Sequence, residues 1–111
     1  MPIIQIFGKP KCFDTKKAER YFKERNVKVQ NIDLVRYGIS RGELLSVIKA
    51  VGGLDNLVKQ SYAAELSYLA YEEDKIEHVL DEPSVLMTPI VRCGKQAAVG
   101  VAPEIWATME Q

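Results

Sequence analysis

The sequence predicts an α/β fold in which a β-α-β unit and a β-β-α unit flank a helical insert. Three observations carry that expectation. The apolar run Ile3 to Phe7 closes at Gly8 and Pro10 and leads into an amphipathic helix and a second apolar run, the order of a short βαβ unit. Ser40-Arg41-Gly42-Glu43 matches a capping box ahead of a helix-periodic segment. Thr88-Pro89-Ile90-Val91-Arg92-Cys93 reads as a strand that turns at Gly94-Lys95 into a hairpin partner from Gln96 to Val101.

Ile3 to Phe7, a short apolar run closed by Gly8 and Pro10, suits a buried parallel strand better than an exposed edge. From Asp14 to Arg25, Ala18, Tyr21 and Phe22 fall at helical spacing, and basic residues fill the last turn, where they complement the dipole. Asn26 ends that helix, and Val27, Val29, Ile32 and Leu34 give the second strand after a right-handed crossover. The capping box opens a helix through Leu44, Leu45, Val47, Ile48 and Val51, which Gly52-Gly53 stops. Leu54 to Lys59 reads as a short further helix, and Ser61 to Tyr71 continues the pattern with Leu66, Leu69 and Ala70. Asp74 caps another helix through Ile76, Val79 and Leu80, ended by Pro83. After the hairpin, Pro103 at N1 opens a last helix with Ile105, Trp106 and Met109 on one face.

A chain of 111 residues suffices for one domain, here residues 1–111 with the insert at about 40–84, without disulfide or metal. Fifteen basic residues balance fifteen acidic ones, which gives no electrostatic footprint for nucleic acid or an acidic membrane. The charged, alternating N-terminus does not read as a signal peptide, and two cysteines with no long apolar run make a cytoplasmic protein the expectation.

Cys12 is the residue on which chemistry converges. It falls where the first strand hands over to the first helix, and a helix N-terminus stabilises anions. A thiolate there has its pKa lowered towards neutrality, and Lys11, Lys16 and Lys17 push the same way. The bland alternative is a small buried hydrophobe, for which a polar turn between lysines is a poor place. His78 lies on a polar helix with no ligand-type residue at metal spacing, so it receives no role and no metal site is expected.

Gly8-Lys9-Pro10-Lys11-Cys12 resembles the Gly-Asn-Pro-x-Cys opening of the arsenate reductase (ArsC) and Spx family. Gly52-Gly53-Leu54-Asp55, Thr88-Pro89-Ile90-Val91 where that family has Arg-Pro-Ile-Val, and Val99-Gly100-Val101-Ala102-Pro103-Glu104 match further motifs in the same order. The resemblance covers nearly the whole chain. It implies a thioredoxin-like fold with a four-stranded mixed sheet.

What the resemblance implies about function is carried residue by residue. In members that reduce arsenate, the helix-terminal cysteine attacks the bound oxyanion, arginines hold it, and glutathione and glutaredoxin resolve the adduct. Cys12 matches the nucleophile, Lys16 falls where the family carries Arg or Lys, and Lys59 falls near an anion-binding basic position. Thr88 replaces the arginine before the proline, and Ala102 replaces the basic residue before the final Pro-Glu. Lysine offers a point charge where arginine offers a bidentate fork, so efficient arsenate reduction is not expected. The implied activity is a monomeric, single-cysteine thiol oxidoreductase without bound cofactor, resolved by an external thiol of the glutathione or glutaredoxin type, with glutathione as co-substrate. Spx-like regulators, the alternative, carry Cys-x-x-Cys at this helix and contact the RNA polymerase α subunit; here Thr15 stands at the second cysteine. Gly52 and Gly53 fall where those regulators keep a contact glycine, but on their own they read as a helix stop.

Three further expectations follow from the resemblance. Pro89 is expected to be cis and to shape a substrate groove beside Cys12, with Thr88 facing a bound thiol. Thr15 either donates its hydroxyl to the thiolate or caps the helix. Cys93 lies four residues beyond Pro89 on an extended strand, roughly 13 Å at ~3.3 Å per residue, too far for a disulfide to Cys12.

Overall fold

In the computed structural model, which describes residues 3–109, the strand β1 (Ile4–Gly8) lies inside a four-stranded sheet of order β2-β1-β3-β4. β2 (Val29–Asp33) runs parallel to β1, with Ile4 opposite Val29 and Gly8 opposite Asp33. β3 (Ile90–Cys93) runs antiparallel to β1 on its other side, pairing Phe7 with Ile90, and β4 (Gln96–Val99) continues the hairpin. The sheet is therefore mixed, as expected.

Both faces of this sheet are covered, which is why β1 reads as a run rather than an alternation. Successive side chains of a strand point to opposite faces. Ile4 and Ile6 pack with Val91, Cys93 and Ala98 against Ala18 and Phe22 of α1 (Phe13–Glu24) and Trp106 and Met109 of α6 (Pro103–Met109). Phe7, Ile90 and Ala97 face the other way, towards Leu34, Leu44, Val47, Leu57 and Leu86 of the helical insert. α1 stops at Glu24, and the left-handed backbone of Asn26 (φ 57°), just past its cap, lets Val27 N–H reach the Phe22 carbonyl at 2.9 Å.

The insert departs from the expected boundaries in four places. Leu34 is not in β2; it opens a short helix, α2 (Leu34–Tyr37), because the Asp33 carboxylate accepts from Val35 N–H at 3.0 Å and Arg36 N–H at 3.2 Å. The insert thus begins directly after β2. α3 (Arg41–Val51) starts in the expected capping box and stops at left-handed Gly52 (φ 88°). Leu54–Asn56 is a single 3-10 turn rather than a helix to Lys59. α4 (Gln60–Leu66) ends at Leu66 instead of Tyr71, and α5 (Glu72–Asp81) begins before Asp74. Glu72, Glu73 and Asp74 occupy the first turn of α5, where carboxylates complement the dipole, so Asp74 lies inside that turn and Tyr71 takes the cap position. A 3-10 turn at Pro83–Val85 leads back to the sheet, and β3 begins at Ile90 rather than Thr88. No helix of the described residues is long and apolar enough to cross a membrane.

Candidate functional site

β1 delivers its last residue, Gly8, to the floor of the site. A Cβ at Gly8 would lie 2.1 Å from Cγ2 of Thr15, so only glycine lets the strand end pass this close to α1. The chain then turns through Pro10, with Cys12 N–H donating to the Lys9 carbonyl at 3.1 Å. Cys12 takes the N-cap position of α1 in an extended conformation (φ −90°, ψ 115°), and no side chain caps that helix. The first-turn amides are therefore free to serve the sulfur.

The half-buried Cys12 thiol meets Thr88, whose hydroxyl and carbonyl both lie within hydrogen-bond reach of the sulfur. Burial pushes its pKa up, but hydrogen bonds from the Thr15 and Thr88 hydroxyls and from the Thr15 and Asp14 amides prevail and hold it below the ordinary thiol value. Thr88 Oγ1 donates to Cys12 Sγ at 3.0 Å. The Thr88–Pro89 peptide is cis, as expected, and Pro89 is buried behind Thr88 while its carbonyl accepts from Gly100 N–H at 2.8 Å. Thr15 is buried (5 % exposed) in the first turn of α1 and does not cap that helix; its oxygen accepts from Lys9 N–H at 3.4 Å.

In front of the sulfur opens a cavity of about 560 Å³, lined by Lys9, Lys11, Cys12, Asp14, Lys59, Met87, Thr88, Val99 and Gly100. Lys59, at the N-cap of α4, is thus brought to the thiol. Lys16 is not: its ammonium lies 5.9 Å over the Phe13 ring, outside the lining. Lys9 takes the place expected of Lys16 at the cavity. Its Nζ donates to the carbonyls of Ser84 (2.7 Å) and Leu86 (3.0 Å). Burial and the nearby Lys59 charge pull the Lys9 amine pKa down, against the thiolate of Cys12. Sequence reasoning passed over Lys9 and Met87 because only the approach of β3 to β1 brings the segment before Thr88 beside the turn.

Other residues fall away from this cavity. Ala102 is buried with Trp106 in the core beneath α6. Cys93 pairs with Ile4, at the opposite end of β1 from the turn that carries Cys12, and the two cysteines form no disulfide. His78 Nδ1 meets the Tyr62 hydroxyl at 2.5 Å on an exposed part of the insert. Gly52 and Gly53 both donate backbone N–H groups to the Ile48 carbonyl at 3.0 Å and so terminate α3. Among the described residues, no three His, Cys, Asp or Glu side chains gather to hold a metal ion.

No family model matches the chain, and neither does any curated protein. Solved structures do. An ArsC-family-related protein from Bacteroides fragilis superposes with a TM-score of 0.82 at 22% identity, over 96% of this chain and 97% of that one. The YffB protein gives a TM-score of 0.77 at 25% identity, over 96% and 97% of the two chains. An arsenate reductase from Vibrio cholerae gives 0.81 at 19% identity, over 98% of both. The likeness runs the full length of the fold, helical insert included.

Proposed function

From the ArsC-type, thioredoxin-like fold as premise, we propose that this chain is a single-cysteine thiol oxidoreductase whose nucleophile is Cys12. The observation that carries the reading is the Cys12 sulfur at the N-cap of α1, with the Thr88 hydroxyl donating to it at the mouth of a lysine-lined cavity. Donors that favour the thiolate raise the fraction of the nucleophilic form near neutral pH.

The chemistry is disulfide exchange. The Cys12 thiolate attacks one sulfur of a substrate disulfide, and the electrons of the broken S–S bond leave on the other sulfur, which takes up a proton. An external thiolate then attacks the substrate sulfur bound to Cys12, forming the product disulfide and returning Cys12 as thiolate. Cys93 cannot serve as the internal resolver: its partner Ile4 lies four residues from Gly8 along β1, roughly 13 Å at ~3.3 Å per residue, beyond the reach of a disulfide. The resolver is therefore a small thiol such as glutathione, or a glutaredoxin. A thiol that must be regenerated suits a reducing, cytoplasmic setting. Lys9, Lys11 and Lys59 favour a substrate carrying carboxylates, with only Asp14 of opposite charge on the lining.

Arsenate is a poor substrate on this reading. Thr88 stands where an arginine fork would grip a tetrahedral oxyanion, and its hydroxyl is already engaged with the sulfur. The polymerase-contact reading draws no support of its own from Gly52 and Gly53, which helix termination accounts for.

Incubation with glutathione disulfide tests the proposal. The expected result is a mixed disulfide on Cys12, seen by mass spectrometry, absent from Cys12→Ser and reversed by glutaredoxin with glutathione. No adduct, together with retention on immobilised polymerase α subunit that Cys12→Ser leaves unchanged, would replace this reading with the regulatory one. Arsenate-dependent oxidation of glutathione is expected to be absent or very slow.

A further inference from the structure

We propose that Lys9 is a positioning residue for the Cys12 site: its ammonium straps the segment before Thr88 to the turn before Cys12 and so holds the Thr88 hydroxyl on the sulfur. The inference rests on the reading of Cys12 as a reactive thiol.

The strap is built from both ends of the Lys9 residue. At the side chain, Nζ donates to the carbonyls of Ser84, within the Pro83–Val85 turn, and Leu86, just past it. Carbonyls at the end of a helical turn lack partners within it, and a partly buried ammonium needs acceptors, so the two needs answer one another. At the backbone, Lys9 N–H donates to the Thr15 hydroxyl oxygen. One residue therefore touches the supports of both hydroxyls that serve the thiol.

On its other side the same segment is held by the insert. Met87 N–H donates to the Leu57 carbonyl at 2.7 Å, and Leu86 forms a β-bridge with Val58. The chain from Ser84 to Thr88 is thus gripped between the insert and Lys9, with Thr88 two residues past the second carbonyl that Lys9 holds. A hydrogen bond to sulfur survives only small displacements, and supporting contacts must hold a site to about 0.5 Å. Without the strap the Thr88 hydroxyl is free to swing off the thiolate.

A direct charge effect of Lys9 on the thiolate is the competing account, and a double-mutant cycle separates the two. The readout is the rate of Cys12 alkylation against pH for wild type, Lys9→Met, Thr88→Val and the double variant, with folding checked by circular dichroism. Positioning predicts that Lys9→Met raises the midpoint and slows alkylation at pH 7 by about three- to tenfold, and that in the Thr88→Val background it changes the rate by less than about twofold. Lys9→Arg, which keeps donors and charge, is expected to stay near wild type. Equal shifts in the two backgrounds, or no shift in either, overturn the inference. A wild-type midpoint at the free-cysteine value of about 8.5 overturns the reactive-thiol reading instead, and is seen before any variant is made. If Lys9→Met does not fold, Lys9→Gln is read in the same two backgrounds by the same criterion.

Discussion

The Thr88 hydroxyl lies 3.0 Å from the Cys12 sulfur although 76 residues separate them in the chain. The contact exists because β3 runs antiparallel to β1 with Ile90 opposite Phe7, which sets the residues before β3 against the turn after β1. It makes the thiol's acidity a property of the assembled sheet, and it leads to the first prediction.

Cys12 is expected to titrate below the free-cysteine value, because the hydrogen bonds outweigh burial. In the interval between the folded value and the unfolded value of about 8.5, the native state binds fewer protons than the unfolded one, so stability rises with pH there. Below the folded value that contribution is lost. Urea denaturation of wild type against Cys12→Ser, from neutral pH upwards, should show the wild type gaining relative stability until about pH 8.5 and no more beyond.

Gly8→Ala should be costly without filling any polar site. The new methyl would collide with the Thr15 side chain, whose Cγ2 stands 2.1 Å from the Cβ position. A loss of about 1–3 kcal/mol is expected from overpacking, with slower Cys12 alkylation as Thr15 is pushed aside. The same substitution should cost less stability in a Thr15→Ala background, and a denaturation cycle reads that coupling.

Ser40→Ala should remove about 0.5–2 kcal/mol by dismantling the capping box of α3. The Ser40 hydroxyl donates to Glu43 at 2.8 Å, the Ser40 amide at 3.1 Å and the Gln5 amide at 3.1 Å. Burial raises the Glu43 carboxyl pKa, yet these bonds and the Arg92 charge bring it below its ordinary value. Their contribution is full above the unfolded value of about 4.3 and vanishes as pH falls through the folded one, so the gap between wild type and Ser40→Ala should narrow in acid.

Trp106→Ala should destabilise by about 3–5 kcal/mol, measured by chemical denaturation. The indole is 1 % exposed, stands 5.2 Å from the Tyr21 ring and 6.0 Å from the Phe22 ring, and fastens α6 to α1. Its loss empties the centre of one face of the sheet.

Much of the fold was legible in the sequence where the signal is local. The capping box at Ser40, the glycine stop at Gly52 and the left-handed Asn26 that follows the end of α1 each act within a few residues, and each stands where the pattern put it. The insert was less legible. Leu34 continues an apolar run, yet the neighbouring Asp33 carboxylate captures two amides and starts a helix instead. Leu69 and Ala70 extend the period of α4, but the helix has already ended at Leu66.

The site divides in the same way. By itself, the sequence determined that a thiol would sit where a strand meets a helix, because an apolar run, a Gly/Pro turn and an amphipathic segment leave Cys12 nowhere else to go. It could not choose among the lysines. Lys16 is nearer in sequence to the thiol than Lys59, but the turn of the helix carries its ammonium over Phe13, while the insert returns Lys59 to the cavity. That choice, the Lys9 contacts and the Thr88 hydroxyl on the sulfur were decided only by the tertiary structure. Hydrogen bonds act over about 3 Å, and which distant residues come that close depends on strand order and register rather than on any local pattern.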